Sequence, residues 1–181
     1  MSHVKVILDN VKCKDTEDVF GADEFYLVGS ITDGGSVNPI LVKPFSIKNG
    51  KTKKINTVIF DQDVPSERNL KLAIYAYDQD SSHDWKKYGT YATAISAAVS
   101  KGLQAIPNPY TIAAGYILPH IVAGSGVLMS LDKDDRLGKL TMDFPVWGLN
   151  KGDHEYTWTI KGGGGWYSSW KYVLRYRVLV S

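Results

Sequence analysis

Disulfides, clustered thiolates and an excess of one charge are all missing from this chain, and each absence removes a class of function. A single cysteine, Cys13, excludes an internal disulfide and any multi-cysteine metal site. The 21 basic and 19 acidic residues leave a net charge of +2, too balanced to argue for nucleic acid by itself. His3, His83, His120 and His154 show no metal-ligand spacing. No Gly-x-Ser-x-Gly, phosphate-loop or cysteine–histidine pattern is present. Gly162 to Gly165 joins two strands without a following helix, which suits a hairpin tip better than a phosphate cradle. Met1-Ser2-His3-Val4 enters an alternating strand directly, without the basic region and apolar core of a signal peptide. The expected location is therefore cytoplasmic, with peripheral membrane association and secretion left open.

What is present is alternation. A chain of 181 residues suffices for one good core and is too short for two ordinary domains. Val4, Val6 and Leu8 start a first strand that ends near Val11, and Phe25 to Ile31 forms a second. Thr32-Asp33-Gly34-Gly35 is a strong turn signal. Ile40 to Ile47 is a third strand, in which Pro44 marks an edge or a bulge. Asn49-Gly50 is the strongest short hairpin signal and leads into a fourth strand, Thr52 to Phe60. Leu70, Leu72, Ile74 and Ala76 alternate as in a half-buried fifth strand. Leu137 to Trp147, Tyr156 to Ile160 and Lys171 to Val180 complete the set. Eight strands with turns between them and no helix outside residues 81–131 predict a mainly β protein, an eight-stranded antiparallel β-sandwich with a helical insertion.

Residues 81–131 have a different character. Ile95, Ala98, Val99, Gly102, Leu103 and Ile106 recur at helical spacing, and Asn108-Pro109 offers a cap and first-turn proline for a second helix. Gly102 to Leu131 holds no formally charged residue, His120 being neutral. A membrane span there would put strands of one sandwich on opposite sides of the bilayer. A helical insertion packed on protein is the expectation, so that residues 1–181 form a single domain.

Two acidic clusters flank strand ends. The first is Asp15, Glu17, Asp18 and Asp23, running into Gly21-Ala22-Asp23-Glu24-Phe25-Tyr26-Leu27-Val28. The second is Asp78-Gln79-Asp80, which becomes Asp-x-Asp followed by Asp134-Asp135-Arg136-Leu137-Gly138 once 81–131 is set aside. Carboxylates crowded on one rim call for a cation, because like charges raise each other's pKa. The remaining aspartates Asp33, Asp61, Asp63, Asp132 and Asp153 read as turn residues.

These motifs resemble those of C2 domains, the β-sandwich modules of protein kinase C and synaptotagmin. The first looks like that family's Gly-x-Ser-Asp-Pro-Tyr-Val-x-Val entry to a strand, with Ala22 for serine and Glu24 for proline. The second resembles its third calcium-binding loop, here interrupted by the insertion. The resemblance implies a calcium rim of Asp18, Asp23, Asp78, Asp80 and Asp135. Asp15 or Glu17 is an alternative to Asp18, and Asp84 an alternative to Asp135 if the loop closes locally with Gly89. It implies a non-enzymatic, calcium-binding module that docks on an anionic partner, most familiarly phospholipid membrane. The alternative is a protein–protein interaction or assembly module that uses the helical insert, with metal optional. Trp166, Tyr167, Trp170, Lys171 and Tyr172 read as sheet and core packing, the alternative being a contact surface for lipid, sugar or a stacked base.

Overall fold

The computed structural model describes residues 1–16, 21–78, 136–163 and 169–181. These form eight strands: β1 (Ser2–Asp15), β2 (Asp23–Thr32), β3 (Val37–Ile47), β4 (Thr52–Val64), β5 (Asn69–Asp78), β6 (Arg136–Pro145), β7 (Gly152–Gly163) and β8 (Ser169–Val180). The only helix among the described residues is a 3-10 turn at Val146–Gly148. The predicted helical insertion at 81–131 lies outside the described residues.

The strands pair into two antiparallel sheets, ordered β4-β1-β8-β7 and β3-β2-β5-β6. Their period-two patterns point one set of side chains from each sheet into a shared core. Val4, Val6, Leu8, Val11 and Cys13 enter from β1, and Tyr172, Leu174, Tyr176, Val178 and Val180 from β8. Facing them are Phe25, Leu27 and Ile31 of β2 and Leu70, Leu72, Ile74 and Ala76 of β5. Contacts cross directly between the layers. The Phe25 and Tyr172 rings lie 4.9 Å apart between centroids, and the Trp170 indole donates to the Leu137 carbonyl at 3.0 Å. Gly138 makes room for this packing, since a Cβ there would stand 2.8 Å from Ile160 Cγ2. Trp170 and Tyr172 are packing residues, as their alternation predicts; Trp166 and Tyr167 lie outside the described residues.

Three sequence expectations change. Asn49-Gly50 is a tight turn, with Gly50 at φ +76° and the Lys51 amide donating to the Lys48 carbonyl at 3.0 Å. It is not a hairpin within one sheet. β3 pairs with β2 and β4 with β1, so the turn carries the chain from one layer to the other. A turn signal reports local chain reversal but is blind to which partner each strand takes.

Asp61, Asp63 and Asp153 are strand residues rather than turn residues. Asp61 and Asp63 on β4 face His3 on β1 at 2.8 and 2.9 Å, and Lys5 joins Asp61 at 2.8 Å. Asp153 shares Arg177 with Asp9, at 2.9 and 2.7 Å. Opposite charges on neighbouring strands of a solvated sheet face override the turn preference of aspartate. Asp33 does behave as a turn residue. Its Oδ1 accepts from the Gly35 and Ser36 amides, and its Oδ2 from Arg68 at 2.9 Å.

The third change concerns β5, which is buried on both faces from Leu72 to Asp78 rather than half-buried. Ala73, Tyr75 and Tyr77 point away from the core, yet none is more than 9% exposed. The Pro44 expectation holds, because β3 is an edge strand with a register shift between the Phe25 and Leu27 pairs.

Candidate functional site

One end of the sandwich gathers an end of each of the eight strands. Cys13 on β1 is opposite Tyr172 on β8, and Asp15 opposite Lys171. Phe25 on β2 is opposite Asp78 on β5, Tyr77 is opposite Arg136 on β6, and Gly163 on β7 is opposite Ser169. The segments 17–20, 79–135 and 164–168 are therefore all rooted here. The Asp33–Arg68 pair and the 3-10 turn lie at the opposite end.

Asp23 and Asp78 sit at this end with side chains on the core side of their sheet. In a paired strand, residues opposite one another share a face, as do residues two apart along a strand. Asp78 therefore shares a face with Phe25, and Phe25 with Asp23. Asp23 is 1% and Asp78 6% exposed. Taking a carboxylate out of water is costly unless it is hydrogen-bonded or paired, and both are held. The Tyr172 hydroxyl donates to Asp23 Oδ2 across the layers. The Glu24 amide donates to Asp78 Oδ1 at 2.7 Å. A proline at position 24, lacking the N–H, could not make this bond.

The electrostatics follow from this crowding. Burial raises the Tyr172 pKa far above the ordinary tyrosine value, reinforced by the Asp23 bond and charge and then by Cys13 and Asp78. The hydroxyl stays a donor at any physiological pH. Burial, with the Asp23 charge behind it, pushes the Cys13 thiol up to about 11. That thiol is neutral and packs as a small apolar group. Sequence reading missed Tyr172 and Cys13 as neighbours of the acidic pair. The signal available was the alternation of β1 and β8 continued to their ends.

Of the five aspartates predicted to form the rim, Asp23 and Asp78 are thus brought to one end of one sheet. Asp18, Asp80 and Asp135 lie outside the described residues, as do Glu17 and Asp84. Asp15 ends β1, and its Oδ2 accepts from Ser169 Oγ at 2.5 Å. Among the described residues, no group of three or more His, Cys, Asp or Glu side chains is arranged to hold a metal ion. No described helix is long and apolar enough to cross a membrane. Chemically, the described pair supplies hard oxygen donors.

No protein-family model and no curated protein sequence matches the chain. Among solved structures, it is similar to human GIVD cytosolic phospholipase A2 in complex with methyl gamma-linolenyl fluorophosphonate. The identity is 11% and the TM-score 0.46, over 99% of this chain and 17% of that one. It is also similar to a structure of a C2 domain, at 11% identity and a TM-score of 0.40, over 100% of this chain and 99% of that one.

Proposed function

We propose that the chain is a single C2-like domain that acts as a non-enzymatic calcium-binding module, docking on an anionic partner, above all a phospholipid surface. The rim in this reading is Asp18, Asp23, Asp78, Asp80 and Asp135. The observation that carries it is the burial of two carboxylates, Asp23 and Asp78, on neighbouring strands at the one end where the other three aspartates are rooted. Chain reach supports it. At about 3.3–3.6 Å per residue, Asp80 lies within about 7 Å of Asp78 and Asp135 within one residue of Arg136. Tyr77 and Arg136 are partners across β5 and β6, so the two lips of the interrupted loop start side by side. An insertion between them does not force the acidic residues apart.

The donor set fits calcium, which takes 6–8 oxygen ligands and tolerates irregular geometry. When bound, the ion supplies a positive charge that carboxylates on one side and a phosphate on the other can share. The chain's own residues do the rest. The Tyr172 hydroxyl and the Glu24 amide fix one oxygen each of Asp23 and Asp78, orienting the carboxylates before a cation arrives. The balanced net charge leaves the ion as the main source of attraction to an anionic surface.

The test is a calorimetric calcium titration together with melting curves in chelator and in millimolar calcium. A ligand that binds only the folded state raises the melting temperature as its concentration passes its Kd. Asp78→Asn with Asp80→Asn keeps an acceptor oxygen for the Glu24 amide and should abolish the rise. Identical melting curves with chelator and with calcium would sink the reading.

A further inference from the structure

We infer that the β6 and β7 side of the sandwich is a two-fold interface, where a second copy of this chain pairs edge to edge in both sheets. Among the described residues each sheet has two edges, β4 and β7 in one, β3 and β6 in the other. An unpaired edge templates further strands unless proline, bulges or irregular backbone blunt it. The β3 and β4 edges are blunted. β3 carries Pro39 and Pro44, and its register with β2 shifts between the Phe25 and Leu27 pairs. β4 has Asn56 at φ +48° and two register shifts against β1. β7 has neither device, since Gly152 to Gly163 pair with β8 in unbroken register and without proline. β6 pairs with β5 without a break from Gly138 to Pro145, its only proline being that last residue. Among the described residues, neither strand makes a backbone hydrogen bond beyond its own sheet.

Charge decides the occupant. The side chains of β7 that alternate away from the core are Asp153, Glu155, Thr157, Thr159 and Lys161. Reversing the strand about Thr157 sets Asp153 against Lys161, Glu155 against Thr159 and Thr157 against itself. On β6, reversal about Thr141 sets Lys139 against Asp143 and Thr141 against itself. Opposite charges and threonine pairs directly across an antiparallel ladder stabilise it, whereas like charges there destabilise it. Charges that guard these edges against other strands are thus arranged to accept a second copy. On the core side the same reversal brings Tyr156 of one copy against Trp158 of the other, both only partly buried within one copy.

The two centres stand at one level, which a single axis requires. Gly138 on β6 abuts Ile160 of β7, and Met142 on β6 accepts from Tyr176, the strand partner of Tyr156. β6 and β7 run in opposite senses, so moving forward from Gly138 and back from Ile160 by the same number of residues reaches Thr141 and Thr157 together. One two-fold axis through these threonines continues both four-stranded sheets across the interface. The contact uses the same surface on both copies and therefore closes at two. It directs the two rim ends oppositely, so the dimer, on the reading proposed above, carries one calcium rim at each end.

Sedimentation velocity of the full chain in chelator, over a series of concentrations, tests this without reference to calcium. The expected result is a monomer–dimer equilibrium that grows no further. Lys161→Glu sets like charges against Asp153 at two symmetry-related places and should raise the dimer Kd about tenfold or more. Thr157→Cys and Thr141→Cys, each facing its own copy across the axis, should form intermolecular disulfides when oxidised with copper phenanthroline. Thr159→Cys, set against Glu155, should not, and neither should the wild type, whose one thiol is the buried Cys13. All these substituted positions are exposed. Should Lys161→Glu not fold, Lys139→Glu, set against Asp143, repeats the charge test on the other strand. A monomer at every concentration, association that continues past two, a dimer indifferent to the charge substitution, or failure of either Thr157→Cys or Thr141→Cys to crosslink would each overturn the inference.

Discussion

Tyr172→Phe separates what the buried acidic pair does for folding from what it does for a ligand. The substitution removes one hydroxyl and nothing else from a fully buried ring. That hydroxyl donates to Asp23 Oδ2 from the opposite sheet, so the bond ties the two layers at the rim end. Hydrogen bonds to charged groups contribute about 1.5–3 kcal/mol, and a buried carboxylate deprived of a donor is the costly side of that exchange. For a chain of 150–250 residues each kcal/mol moves Tm by about 2–4 °C, so Tm should fall by about 3–12 °C. The assay is urea denaturation and thermal melting of wild type, Tyr172→Phe, Asp23→Asn and the double variant. A coupling energy of about 1–3 kcal/mol is expected, because the two groups share one bond. Calcium then divides the variants. Tyr172→Phe retains the carboxylate and should keep most of the calcium-induced rise in Tm, whereas Asp23→Asn should lose it. A Tyr172→Phe protein within about 0.5 kcal/mol of wild type, or a coupling near zero, would refute the assigned contact.

The glycines, the titrating groups and the turn ion pair supply the remaining predictions. Gly29→Val should destabilise by more than about 4 kcal/mol in denaturant titrations, because a Cβ would stand 2.2 Å from the Ala73 carbonyl oxygen and break the β2–β5 pairing. Gly50→Ala has open space and only the cost of its φ of +76°, about 1 kcal/mol. Cys13 and Tyr172 both titrate higher in the folded state than in the unfolded one, so the unfolded chain loses its protons first. Stability should be full below about pH 9 and fall as pH rises toward 11 and beyond, and Cys13→Ala should flatten the first part of that decline in urea titrations against pH. Asp33 behaves oppositely. Burial pulls its pKa up, but the Ser36 and Gly35 amides and Arg68 outweigh it and hold it below the ordinary value. Its contribution is therefore present above about pH 4 and lost on acidification, and Arg68→Ala should shrink that loss.

The sequence alone determined the β class, the eight strands and the break in character after Asp80, because side-chain alternation is local and repeats every two residues. It also determined that Asp23 and Asp78 lie at strand ends, since both adjoin alternating runs. Only the tertiary structure decided the rest. That β3 and β4 part company at Asn49-Gly50 depends on strand partners far away in sequence, which no local turn signal encodes. That Asp61 and Asp63 belong to a strand depends on His3 and Lys5 standing opposite them. That Asp23 meets Tyr172 requires two sheets to close on each other, bringing together residues 149 positions apart. And the tyrosines of β2 and β5, which alternation alone would leave facing water, are buried because burial is set by what packs on a face, a property of the folded chain rather than of its pattern.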